Sequence, residues 1–186
     1  MTRTVVVALL RAVNVGGRTL TSAQLRGAAE GLGYTDVKTY VNSGNLVAVA
    51  PHGASRVAEA LSTALTAEVG FDVPVVTRTA HEWHAVIDAL PFPDEARDDP
   101  SHLVVVTWDG AVDGSAATFD ASRYGNERLA WTGRELYAYY PDGIGRSKLT
   151  LPVLEKAAGR RGTARNWNTV LALDTLARER EPVDGT

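Results

Sequence analysis

Residues 37–50, Val-Lys-Thr-Tyr-Val-Asn-Ser-Gly-Asn-Leu-Val-Ala-Val-Ala, decide the fold. An alternating run from Val37 to Val41 meets turn chemistry at Asn42-Ser43-Gly44-Asn45, and an apolar run resumes from Leu46 to Ala50. Two β-type runs joined by asparagine, serine and glycine make a hairpin, so these strands are antiparallel neighbours. Upstream, residues 4–13 are a continuous apolar run rich in β-branched side chains, as in a central strand. Thr21-Ser22-Ala23-Gln24 then fits a capping box, and Leu25, Ala28, Ala29 and Leu32 follow helical spacing until Gly33. Downstream, Val57, Leu61, Leu65 and Val69 predict a second helix ending at Gly70, and Val73 to Thr77 a strand that Pro74 assigns to an edge. The element order is βαββαβ.

The order recurs in the second half. A helix follows the capping box Thr79-Ala80-His81-Glu82, and the proline-rich, charged stretch 91–101 reads as a linker between a first unit at 1–90 and a second at 102–186. Beyond it come a strand at 102–108, a weak helix around Ala116 to Ser122, strands at Arg128 to Trp131 and Glu135 to Tyr140, and a helix at Leu151 to Ala158. A short extended piece near Thr163 to Arg165 precedes a last helix capped by Asn166 or Asn168, and the tail from Glu179 is expected to fray. The fold class expected is therefore α+β, with two tandem ferredoxin-like units of antiparallel sheet and additional helices. The residues of the two copies do not visibly match.

Composition bounds the function. The chain has 186 residues, 45% hydrophobic and 22% charged, with a formal net charge of -3, which is ordinary for a globular protein and gives no overall attraction for polyanions. It has no cysteine, so disulfides, iron–sulfur clusters, thiolate zinc sites and thiol nucleophiles are excluded. The apolar run at Val5 to Leu10 is too short to span a membrane and reaches Arg11 without a cleavage signature, so a cytoplasmic protein is expected. Sixteen of nineteen basic residues are arginine, which suits planar contacts to anions.

Right-handed crossovers give each βαββαβ unit the strand order 4-1-3-2, with the helices on one face. In the first unit this brings Asn14-Val15-Gly16-Gly17 beside Asn42-Ser43-Gly44-Asn45, with Arg11 entering from strand one. In the second it brings Pro141 to Lys148 beside Arg165-Asn166-Trp167-Asn168-Thr169. Packing of the halves about a pseudo-twofold would turn both polar clusters towards one cleft.

These segments together resemble the family called domain of unknown function 1697. The resemblance rests on Leu10 to Gly17, Leu25, Tyr40 to Asn45, Gly145-Arg146-Ser147-Lys148-Leu149 and Arg165 to Thr169, in order over most of the chain. It implies a bacterial cytoplasmic α/β protein of duplicated ferredoxin-like character and implies no activity. Ala12 departs from the pattern, where a glycine is usual.

The candidate ligand-binding residues are Arg11, Asn14, Gly16, Gly17, Asn42, Ser43, Asn45, Arg146, Ser147, Lys148, Arg165, Asn166 and Asn168. Glycines permit close backbone approach to an anion, and Arg146 with Lys148 supplies charge for a phosphate or carboxylate. The same segments also serve as positive-φ turns, a hairpin and helix caps, and that reading weighs about as much. Neither a Walker A loop nor a GxGxxG fingerprint is present. His81 and His84 lack a third metal ligand at suitable spacing and read as solvated surface, as do Asp94, Glu95, Asp98 and Asp99. Ser43 and Ser147 have no His/Asp partner pattern, so no catalytic residue, reaction or cofactor is identified. Three functions follow: a protein binding a small phosphorylated or carboxylated ligand, an interaction or structural module with no ligand, and a single-stranded nucleic-acid binder using Trp131, Tyr137, Tyr139 and Tyr140. The net acidity argues against the third.

Overall fold

The computed structural model describes residues 3–41 and 44–182. The chain is α+β, with two four-stranded antiparallel sheets and, among the described residues, six α-helices. It divides into two units, Met1–Ala85 with Ala172–Thr186, and Val86–Leu171.

In the first unit, β1 (Thr4–Leu10), β2 (Thr35–Tyr40), β3 (Asn45–Ala50) and β4 (Val75–Thr79) lie in the order β2-β3-β1-β4, the order expected from the crossovers. Helices α1 (Ser22–Gly31) and α2 (Ala54–Val69) supply Leu25, Ala29, Val57, Leu61 and Leu65 to a core shared with Val6, Ala8, Leu10, Leu46 and Ala48. The alternate residues Val7, Leu9 and Val47 are buried as well. Burial of both faces explains why β1 and β3 read as unbroken apolar runs rather than alternating ones. Each fully buried leucine or valine contributes about 1.5–3 kcal/mol.

Local chemistry places the helix ends. Thr21 accepts from the Gln24 amide at 3.2 Å while Gln24 Oε1 accepts from the Thr21 amide at 2.9 Å, completing the capping box that starts α1. Thr79 and Glu82 make the same reciprocal pair at the start of α3 (Ala80–Asp88). Strand β1 stops at Leu10, three residues earlier than its apolar run, because Ala12 turns to φ +57°.

Residues 93–98, inside the expected linker, form α4 (Pro93–Asp98), with proline at a position where a missing N–H costs the helix nothing. The second unit follows with β5 (Leu103–Trp108), β6 (Arg128–Trp131), β7 (Glu135–Tyr139) and β8 (Gly162–Asn166), in the order β6-β7-β5-β8. Helix α5 (Leu151–Ala158) packs Leu154 and Ala158 on Val104, Val106, Trp108 and Ala138.

The weak helix expected at Ala116 to Ser122 is instead two 3-10 turns, Gly114–Thr118 and Ala121–Arg123. Asp113 and Asp120 each accept an amide two residues on, from Ser115 at 2.8 Å and Ser122 at 3.0 Å. Short polar side chains so placed compete with the α-helical ladder. The last helix, α6 (Trp167–Arg178), starts two residues earlier than expected, with Asn166 as its cap: Asn166 Oδ1 accepts from the Thr169 amide at 3.0 Å. The tail beyond it is held to Glu181 by Glu179 and Glu181 amides bonded to Thr175 and Arg178 carbonyls. Among the described residues, no helix is long and apolar enough to cross a membrane.

Candidate functional site

Within each unit the strand exits lie where the topology requires. In the first, Leu10 donates to the Gly44 carbonyl at 2.9 Å and Leu9 pairs with Asn45, which sets the strand-one exit against the hairpin. Val15 and Arg18 form a β-bridge, and between them Gly16 at φ +58° and Gly17 at φ +82° make the two-residue turn of a miniature hairpin. The asparagines serve this architecture. Asn14 Oδ1 accepts from the Leu20 amide at 3.0 Å, and buried Asn45 donates through Nδ2 to the Tyr40 carbonyl at 2.9 Å. The half-buried Arg11 donates its amide to the Pro74 carbonyl at 3.0 Å. Asn42 and Ser43 lie outside the described residues.

In the second unit, Leu103 pairs with Tyr139 and Val104 with Asn166, so the exits of β7 and β8 flank the start of β5. A hollow of about 450 Å³ opens there, lined by His102, Pro141, Asp142, Gly143, Gly145 and Arg146. Gly143 takes φ +83°, and a Cβ at that position would stand 3.3 Å from His102 Nε2. The glycine therefore allows both the turn and the close approach of the imidazole.

The remaining expected residues divide by role. Ser147 Oγ donates to Glu127 and accepts from the Leu149 amide at 2.9 Å, which ties down the loop. Lys148 and Asn168 are exposed. Arg165 donates through Nη1 to Thr163 Oγ1 at 2.7 Å and the Ala164 carbonyl at 2.8 Å, and burial lowers its guanidinium to about 10. Hydroxyls of Tyr137 and Tyr140 are buried, bonded to the carbonyls of Val86 and Leu149.

Two arrangements escaped the sequence reading. Asp99, expected to be solvated, accepts from His102 Nδ1 at 2.8 Å and from the Tyr139 hydroxyl at 3.1 Å. Its signal was the spacing of Asp99 and His102 around Pro100, hidden by the charged company of the supposed linker. His84, also expected at the solvated surface, lies between Asp174 at 2.5 Å from Nδ1 and Glu181 at 2.8 Å from Nε2, while Arg178 Nε bonds Asp174 at 2.8 Å. Burial by itself lowers an imidazole pKa; the two carboxylates outweigh it and hold His84 above its ordinary value. No local pattern links residues that far apart in the chain.

The structure also shows a correspondence between halves that residue-by-residue comparison misses. Arg78 in β4 pairs with Val7 of β1, and Arg165 in β8 pairs with Val105 of β5. Nη1 of each donates at 2.8 Å to the carbonyl of the preceding residue, and the next residue, Thr79 or Asn166, caps a helix.

Fold and site thus define an α+β protein of two four-stranded antiparallel sheets with a polar hollow in its second unit. A model of the family "Protein of unknown function (DUF1697)" matches residues 1–137, and the chain belongs to that family. The matched residues stop short of the Gly143–Arg146 loop and the Arg165 to Thr169 segment. Among solved structures the chain is similar to "conserved bacterial protein SP0830 from Streptococcus pneumoniae", at 20% identity and a TM-score of 0.75, covering 95% of this chain and 99% of that one. Comparison with curated proteins finds no match.

Proposed function

We propose that this chain is a cytoplasmic protein of two ferredoxin-like units that binds a small anion, a phosphate or carboxylate, in the second unit's hollow. The observation carrying the reading is the convergence of Arg146, His102 and two glycines on one hollow of about 450 Å³, a size that suits a small ligand. Arg146 neutralises the anion and offers paired donors to its oxygens. Asp142 lines the same hollow, so a singly charged anion fits better than a dianion. Ser147, Asn166 and Arg165 hold the surrounding backbone, as their internal bonds suggest. Arg11, Asn14, Gly16, Gly17 and Asn45 serve the architecture of the first unit. Burial of Tyr137 and Tyr140 removes two of the aromatic rings a nucleic-acid platform would need and supports the small-ligand reading.

Thermal unfolding in dimethyl phosphate, acetate and sulfate tests this. A native-state ligand at a hundred times its dissociation constant adds about 2.7 kcal/mol of stability, so the monoanions are expected to raise the Tm and Arg146→Ala to abolish the rise. An unchanged Tm in all three salts overturns the reading.

One observation favours an interaction surface in the first unit. Val15 and Val41, 58% and 54% exposed, sit on the loop after β1 and on the hairpin whose Gly44 carbonyl accepts from Leu10 at the end of β1. A sedimentation series in which Val15→Ser shifts self-association or partner capture would support it, and unaltered behaviour would count against it.

A further inference from the structure

We propose that the second unit's hollow is a hydrolytic site for phosphodiesters, with His102 as general base, a step that rests on the anion-binding reading above. Among the described residues two histidines meet carboxylates, and they do so differently. His84 has both ring nitrogens bonded to carboxylates, so it is a clasp with no lone pair to offer. His102 is bonded to a carboxylate only through Nδ1, at 2.8 Å from Asp99. A bond to an ionised carboxylate requires hydrogen on Nδ1, so the neutral ring carries its lone pair on Nε2. Nε2 lies against Gly143 on the wall of the hollow, and among the described residues no side chain or amide bonds it.

Asp99 is itself held, because its Oδ2 also accepts the Tyr139 hydroxyl at 3.1 Å. It is a positioning residue that fixes both the tautomer and the direction of the ring. Arg146 on the same hollow supplies a fixed positive charge for phosphoryl oxygens. The negative charge of Asp142 beside it leaves little net charge for a dianion, which selects a diester over a monoester.

The chemistry balances with these groups and water. A water oxygen attacks phosphorus and its proton passes to His102 Nε2. The phosphorus–oxygen bond to one ester group breaks, and that oxygen leaves with the electron pair. Arg146 stabilises the charge that grows on the non-bridging oxygens. The imidazolium then returns its proton to the leaving oxygen or to solvent, leaving a monoester and an alcohol or phenol.

The test uses the full chain with two probes. Bis(p-nitrophenyl) phosphate reports turnover without needing a proton for the leaving group, and unreactive dimethyl phosphate reports binding through amide shifts at Gly143 to Arg146. His102→Asn keeps a donor for Asp99 while deleting Nε2, and Asp99→Asn tests positioning through the pH profile of kcat. Expected are diester binding in the wild type and His102→Asn, turnover in the wild type reduced about 100-fold or more in His102→Asn, and weakened binding in Arg146→Ala. Slower hydrolysis of p-nitrophenyl phosphate than of the diester is also expected. Binding without turnover, or turnover indifferent to His102→Asn in a variant that melts like the wild type, overturns the catalytic inference and leaves anion binding standing. Absence of binding overturns both.

Discussion

At Ala12 the backbone takes φ +57°, and at Val41 it takes φ +46°, conformations in which a Cβ crowds the following carbonyl. A β-branched residue is the worse fit of the two. Ala12→Gly is therefore expected to stabilise the protein by about 0.5–1 kcal/mol, after the greater chain entropy of glycine is set against the relieved strain. Val41→Gly should gain at least as much. Urea midpoints check both, and a fall in midpoint for Ala12→Gly refutes the strain assignment. The resemblance already marked position 12 as one where glycine is usual, but the reason, a left-handed turn ending β1, required the dihedral angle. Asn14 shares that region at φ +58° at little cost, since asparagine tolerates it. Asn14 and Asn45 were legible as polar turn residues. Their partners, the Leu20 amide and the Tyr40 carbonyl, were not, because a side chain's hydrogen bond depends on where its neighbours are folded.

At the scale of elements, His84 joins α3 to α6 and to the segment just beyond it, through Asp174 and Glu181. Both bonds require the imidazolium, the form in which each ring nitrogen donates. His84 has its folded pKa raised above the unfolded value of about 6.5. Its stabilisation is thus fully present below the unfolded pKa and is lost as pH rises through the folded one. Wild type should lose stability relative to His84→Gln as pH rises above the unfolded imidazole value of about 6.5. Parallel pH–stability curves for the two proteins would rule out the clasp. Helix termini are where element-scale reading worked best, because capping boxes at Thr21 and Thr79 are satisfied within four residues of chain. It worked worst between Asp113 and Ser122, where a weak helix was expected around Ala116 to Ser122 and local aspartate bonds favour 3-10 turns instead.

At the scale of the whole molecule, the first unit draws on both ends of the sequence, since it includes Ala172–Thr186. Leu173 and Ala177 are fully buried, and Arg180 Nε donates to the Asp36 carbonyl at 2.6 Å. A chain stopped after Leu171 is expected to lose several degrees of Tm and the pH dependence attributed to His84. A truncated protein that melts like the full chain would show that α6 contributes nothing to that unit. Arg78 and Arg165 hold matching register positions, opposite Val7 of β1 and Val105 of β5, so the two sheets repeat the same local arrangement although the residues around it differ.

What the sequence determined by itself was the order of elements, the hairpin, the strand order of each sheet and which strand exits share a sheet end. Those follow from local periodicity, turn chemistry and the handedness of crossovers, all of which act over short spans. The tertiary structure alone decided which distant side chains meet. His84 meets carboxylates 90 and 97 residues away, and His102 gains its orientation from an aspartate that a tyrosine of β7 also holds. Asp99 and His102 stand three residues apart, and their spacing was visible. The contacts of His84 and the Tyr139–Asp99 bond depend instead on the path of the folded chain, which brings distant groups within hydrogen-bond reach without leaving a pattern in either segment.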